Sequence, residues 1–229
     1  MKLFLIRHGD PDYANDCLTE RGKTEAELLS ERLKRENIRK VFVSPMGRAK
    51  LTAEPYLKKT GMTAETREFL REFGKHTASP DGENYRKTAA WHTDNLFWEE
   101  NIADMFSDGW RDNVIYKTYG ASDEADRIVR EFEGFLSELG LTREGRHFRE
   151  NERFDDGDAA IFCHYGVGCV LLSYLTEIPL PIFWQKIDLQ PSSLSTVIFK
   201  PAAPGIRVAK AFAIGDTTHL GDMELLYKE

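Results

Sequence analysis

Two histidines, two arginines and one glutamate each stand just beyond a short apolar run. Arg7 and His8 end Leu3-Phe4-Leu5-Ile6, and His164 ends Ala159-Ala160-Ile161-Phe162-Cys163. Arg48 comes soon after Val41-Phe42-Val43, and Glu72 follows the stretch from Thr63 to Phe69. These groups together fit phosphoryl transfer. Guanidinium forks match phosphate oxygens two at a time and stabilise charge on the moving group. A neutral imidazole is a competent nucleophile, and nearby positive charge lowers its usual pKa of about 6.5. One histidine can attack while the other, if protonated, clamps the equatorial oxygens. Glu72 can protonate the leaving oxygen once burial or a neighbouring charge raises its pKa. Alone, Arg7-His8-Gly9 is a polar strand end; several such junctions in one chain give it chemical meaning.

Those junctions need a scaffold. Within Lys2 to Ile6 the residues Leu3 to Ile6 are continuously apolar rather than alternating, which predicts a strand buried on both faces of a parallel sheet. Gly9 permits a turn after it. A helix is expected from Glu20 to about Glu36, capped by Thr19, with Ala26, Leu29 and Leu33 on its apolar face. Lys40 to Val43 reads as a second strand. Ser44-Pro45 then reads as an N-cap with proline at the first helical position, opening a helix to Lys59 that stops at Gly61. Pro55 inside it is expected to kink or shorten it. Thr63 to Phe69 is a weak third strand. Strand–helix–strand order implies right-handed crossovers, with all strand ends on the edge where open α/β sheets bind ligands.

The pattern then breaks. Residues 73–121 hold no clear strand and many aromatics, among them Trp91, Trp98, Trp110 and Tyr116, and are expected to form a helical cap. Its aromatics, with Lys75, His76, Arg86 and Lys87, can wall the leaving group, or the rings can simply pack. A helix opens at Ser122, and the charged segment from Arg143 to Asp158 reads as a solvated loop. Pro179 and Pro181 end the helix that follows His164. Ser195 to Lys200 and Arg207 to Ile214 read as closing strands, joined across Pro201 to Gly205. The expected fold is α/β: a three-layer sandwich with a mostly parallel central sheet flanked by helices, plus the helical insertion after the third strand. Residues 1–229 form one domain on this reading.

Composition narrows the partners. A net charge of −7 over 229 residues argues against a nucleic-acid binder, which needs a basic face. Cys17, Cys163 and Cys169 are odd in number and lack a Cys-x-x-Cys pair, which fits a reducing compartment. No apolar run approaches the ~18 residues of a membrane span, and no signal peptide is evident. A cytoplasmic protein without membrane contact is expected. No His-x-x-x-His or paired-carboxylate spacing points to zinc. Oligomeric state is not legible.

The ordered blocks carry a resemblance. Leu5-Ile6-Arg7-His8-Gly9 with Leu18-Thr19-Glu20-Arg21-Gly22 resembles the opening signature of the histidine phosphatase superfamily, the phosphoglycerate-mutase-like fold. Ser44-Pro45-Met46-Gly47-Arg48-Ala49, Leu70-Arg71-Glu72, His164-Tyr165-Gly166 and Gly215-Asp216-Thr217-Thr218-His219-Leu220 continue it in the family's order. The resemblance implies that His8 becomes phosphohistidine, that Arg7, Arg48 and His164 complete the phosphate pocket, and that Glu72 is the proton donor. It implies no metal and no cofactor. Asp10-Pro11 departs from the family's usual pair, and Asn15, the candidate for the family's phosphate-binding asparagine, stands one place after that position, here Ala14. Asp10 and Glu83 are substitutes for Glu72, and His219 is expected to be structural.

The expected function is a metal-independent phosphomonoesterase acting on a small phosphorylated metabolite. A phosphoglycerate mutase-type transfer is the nearest alternative, and a non-catalytic phospho-ligand binder the alternative from another class.

Overall fold

The computed structural model describes residues 1–221. The chain opens with β1 (Lys2–Arg7), a short pair β2 (Pro11–Asp12) and β3 (Cys17–Leu18), α1 (Glu20–Leu33), β4 (Ile38–Val43), α2 (Gly47–Thr60) and β5 (Ala64–Thr66). The insertion holds β6 (His76–Asp81), β7 (Asn84–Ala89), α3 (Asn95–Glu100), α4 (Ile102–Met105) and α5 (Val114–Lys117). Then come α6 (Ala121–Glu138), β8 (Leu141–Glu144), β9 (His147–Glu150), β10 (Asp158–Cys163), α7 (Tyr165–Thr176), α8 (Leu180–Lys186), β11 (Leu194–Ala203) and β12 (Ile206–Asp216).

Eight strands form one sheet in the order β5-β4-β10-β1-β11-β12-β9-β8. The block β5-β4-β10-β1 is parallel throughout, and of all eight only β11 and β9 run against the rest. The sheet is therefore mixed and mostly parallel, as its apolar runs predict. β1 lies inside it because both its faces are apolar. Phe4 and Ile6 pack with Leu29, Leu33, Ala53 and Tyr56 of α1 and α2. Leu3 and Leu5 belong to the opposite cluster, with Phe132 and Phe135 of α6 and Leu171 of α7. Helices thus cover both faces and make three layers. Each fully buried Leu, Ile or Phe contributes about 1.5–3 kcal/mol, and truncating Ile6 to Ala would cost about 2–5 kcal/mol.

Local signals decide most boundaries. Thr19 caps α1 as expected, its side chain accepting from the Gly22 N–H. α2 ends at Gly61, whose φ of 71° suits glycine. Pro55 neither ends nor shortens α2, which runs on to Thr60. Pro179 and Pro181 do not end α7 either: it stops at Thr176, and the prolines start α8 instead.

Two larger expectations also fail. The insertion is not all helical, because β6 and β7 form an antiparallel hairpin. Its strands are polar, and Thr77 is buried through hydroxyl bonds to Thr93 and the Ala89 carbonyl rather than through apolar surface. Asp81-Gly82, with Gly82 at φ 61°, was the available hairpin signal. The charged segment after Arg143 is not a loop either. β8 and β9 form a hairpin that joins the sheet beside β12. Only Leu141 and Phe148 bury apolar side chains there, so ion pairs such as Arg149–Glu144 and Arg207–Glu150 mask the alternation.

Candidate active site

Parallel register brings three strand ends level. Arg7 pairs with Cys163, and Phe162 pairs with both Ile6 and Val43. The residues after these ends, His8, His164 and Ser44, therefore gather at one edge. The His8 N–H donates to the Cys163 carbonyl at 3.0 Å, and the Ser44 N–H to the Phe162 carbonyl at 2.9 Å. The two imidazole centroids lie 5.1 Å apart.

His8 is buried, with 1% exposure. Its Nδ1 lies 2.8 Å from the Gly9 carbonyl oxygen. A carbonyl only accepts, so Nδ1 carries the proton and Nε2 keeps its lone pair. Burial, and then the charges of Arg7 and Arg48 working against that backbone bond, lower its pKa to about 3. The ring is neutral at pH 7. Gly9 turns out to serve close approach rather than a turn: a Cβ there would lie 2.8 Å from the Gly22 carbonyl oxygen of α1. The gap lets the Gly9 N–H reach Thr52 of α2 at 2.9 Å.

His164 is fully buried, and its Nε2 lies 2.7 Å from Ser44 Oγ. Burial, helped by His8 and the two arginines, lowers its pKa to about 2. This bond also corrects the expected helix start. Ser44 faces the histidine, and α2 begins two residues later, after Met46, with no cap from its own segment. The missing cap comes from Asp16, whose Oδ2 accepts from the Gly47 N–H at 2.6 Å. Its Oδ1 accepts from Arg48 Nη1, also at 2.6 Å. Burial works to raise the Asp16 pKa, but the Gly47 N–H and the Arg48 guanidinium outweigh it and hold the carboxyl below its usual range. Asp16 sits at φ 48°, and Gly47 must be small because a Cβ would meet the Asp16 carbonyl at 2.2 Å. One carboxylate from the β2–β3 turn thus fixes both the start of α2 and its arginine. Sequence reasoning missed it; the available signal was an acid in a tight turn ahead of an uncapped helix.

Arg7 donates through Nη1 to the Leu189 carbonyl and lies 5.3 Å from the Tyr165 ring. Arg48 lies 5.5 Å from the Tyr13 ring. Arg7 Nε, Arg48 Nε and His164 Nδ1 are buried without a hydrogen-bond partner, three of five such side-chain atoms among the described residues. Buried donors normally find partners, and each one left unmet costs about 1–3 kcal/mol. Their concentration at one edge is what an anion would relieve.

Glu72 follows a single 3₁₀ turn, Glu68–Leu70. Its Oε1 accepts from the N–H groups of Phe73 (2.8 Å), Gly166 (2.9 Å) and Val167 (3.3 Å), the last two in the first turn of α7. Burial raises its pKa, although these N–H groups and the two arginines pull the other way. Asn15 is not brought in alongside: it is exposed, and its amide donates to Asp12 at 2.7 Å. Asp10 is buried and accepts from Thr19 Oγ1 at 2.6 Å, while Glu83 stands exposed in the β6–β7 turn. His219 bonds Ser192 Oγ at 3.0 Å, and the Ser192 N–H in turn donates to the His8 carbonyl. Of the insertion's histidines, His92 lines the adjoining cavity and His76 pairs across the hairpin with Ala89. That cavity, of about 490 Å³, also exposes Arg7, Glu72, Tyr13, Trp91, Tyr165 and Asp188. Among the described residues, no group of three or more His, Cys, Asp or Glu is placed to hold a metal ion.

A family model described as the histidine phosphatase superfamily (branch 1) matches residues 3–107. Those residues, under half of the chain, are similar to that superfamily. Two curated proteins match shorter stretches. A probable phosphatase of Schizosaccharomyces pombe is 39% identical over 66 residues, covering 25% of this chain and 32% of that protein. A probable phosphoglycerate mutase of Photorhabdus laumondii is 31% identical over 81 residues, covering 31% and 38%. This chain thus matches only about a third of the length of these curated relatives. A solved phosphoserine phosphatase from Entamoeba histolytica, in complex with phosphoserine, shares the fold. It has a TM-score of 0.60 at 17% identity and covers 96% of this chain and 98% of that one.

Proposed function

We propose that this protein hydrolyses phosphomonoesters of a small metabolite through a phosphohistidine on His8. The observation that carries this reading is the free Nε2 of a neutral His8 among three unmet buried donors. Nε2 attacks phosphorus, the bond to the ester oxygen breaks, and that oxygen takes its proton from Glu72. Water then attacks the phosphohistidine, gives its proton to the Glu72 carboxylate, and releases phosphate. Arg7 and Arg48 neutralise the equatorial oxygens. Ser44 Oγ accepts from the Met46 N–H at 3.3 Å, which directs its hydroxyl proton to His164 Nε2. Nδ1 of neutral His164 then carries its own proton and donates to the phosphoryl group without prior protonation. Three free cysteines favour a reducing, cytoplasmic setting.

A mutase reading has support in the Photorhabdus relative's name. Against it, a mutase must grip the substrate's carboxylate, and among the described residues lining the cavity Arg7 is the one permanent cation. Wild-type protein is expected to release phosphate from monoesters and to retain labelled phosphate after an alkaline quench. His8→Ala is expected to lose both, by about 10⁴-fold or more in rate. Unchanged turnover in His8→Ala would sink the mechanism. Conversion of 3-phosphoglycerate to 2-phosphoglycerate in excess of phosphate release would favour the mutase, and ligand binding without turnover the non-catalytic reading.

A further inference from the structure

Beyond the phosphate edge the cavity changes character. Past Arg7 and Glu72, its wall carries the rings of Tyr13, Trp91 and Tyr165 and the carboxylate of Asp188. Tyr13 is 64% exposed, a large ring left bare at the mouth. Trp91 packs edge-on to Tyr165 at 5.1 Å, and Gly166 makes room for it, since a Cβ there would come within 2.5 Å of the indole. The basic residues of the insertion stay outside: Lys87 Nζ stands 5.7 Å from the Tyr119 ring, and Lys75 and Arg86 are exposed away from the lining. Asp188 is exposed, with its carboxylate accepting from Gln190 Nε2. Among the described residues lining the cavity, a leaving group with its own carboxylate would find no second permanent cation and would meet that acid. The volume, about 490 Å³, lies within the roughly 300–1,000 Å³ of pockets that take drug-sized ligands. It exceeds what a three-carbon phosphoester fills.

Resting on the phosphatase reading, we propose a substrate class: monoesters whose alcohol carries a planar aromatic ring and no carboxylate. The ring lies against Tyr13 and Trp91, where offset and edge-on contacts are favourable. Asp188 turns anionic competitors away.

The test compares 2-phenylethyl phosphate, glycerol 3-phosphate and 3-phosphoglycerate. All three are alkyl esters, so differences in kcat/KM report the wall rather than leaving-group reactivity. The expected order places 2-phenylethyl phosphate first and 3-phosphoglycerate last. Tyr13→Ala and Trp91→Ala each lower the ratio of 2-phenylethyl phosphate to glycerol 3-phosphate by about 2- to 10-fold, and Trp91→Phe keeps most of it. Asp188→Lys raises 3-phosphoglycerate relative to glycerol 3-phosphate by about fivefold. His8-dependent release that prefers 3-phosphoglycerate, or ratios that none of these variants moves, would overturn the substrate class and leave the phosphatase reading standing. No His8-dependent release from any of the three would take down that reading and this inference with it.

Discussion

The phosphate edge and the inserted segment are built on opposite principles. At the edge, His8 and His164 are buried, and each is held by its own strand end and a short hydrogen bond. The insertion uses elements of four to six residues, and most of its aromatics serve packing. Trp98 donates to the Tyr116 hydroxyl at 3.1 Å, and Tyr116 stacks near Trp184, all of them buried. Among the described residues of the insertion, Ala89, Trp91 and His92 line the cavity, and two of these carry rings. On the proposed reading the edge is preorganised for any phosphoryl group, whereas the insertion adds one ring and an exposed imidazole to a wall it shares with Tyr13, Tyr165 and Asp188. On that reading chemistry belongs to the sheet edge, and selectivity to the wall that the insertion and the loops bearing Tyr13 and Asp188 build together.

That division can be broken or sharpened in order of effect. Glu72→Gln strikes the edge and is expected to slow release from alkyl esters by about 10²- to 10⁴-fold. Esters of acidic phenols, which leave without a proton, should lose far less. The donor must be protonated and its pKa is raised, so wild-type release from alkyl esters should fall as pH rises through that pKa. The limb should vanish in Glu72→Gln; if it survives there, another group is the donor.

Asp16→Ala leaves the strands untouched but frees Arg48 and uncaps α2. A lost cap costs about 0.5–2 kcal/mol of stability, visible as a lower urea midpoint. Misplacement of Arg48 should cost about tenfold in kcat/KM, for aromatic and glyceryl esters alike. A loss confined to one ester class would move Asp16 from the edge to the wall.

Asn15→Ala is the smallest. Its amide is spent on Asp12 in an exposed turn, and an exposed substitution of this kind changes stability by about 0.5 kcal/mol or less. Activity should stay within about twofold. A tenfold rise in KM would show that the loop closes over phosphate and that the family's asparagine role has moved one residue along.

Legibility in the sequence follows the same division. The edge could be read because a doubly buried parallel strand needs an unbroken apolar run, and both His8 and His164 stand at the end of one. The insertion could not, because its hairpin is held by threonine hydroxyls and a tight turn rather than by alternating apolar residues. β8 and β9 hid for a related reason, their outward faces being dense with ion pairs.

Arg7, His8, Arg48, Glu72 and His164, the strands and helices that place them, and the chemistry they suit were set by residue type and order along the chain. Tertiary structure alone decided that Ser44 serves His164 instead of a helix, that Asp16 supplies the missing cap and holds Arg48, and that Asn15 turns aside. The reason is common to all three. A short polar side chain satisfies whichever donor or acceptor the fold brings within about 3 Å, and sequence order does not state which one that will be.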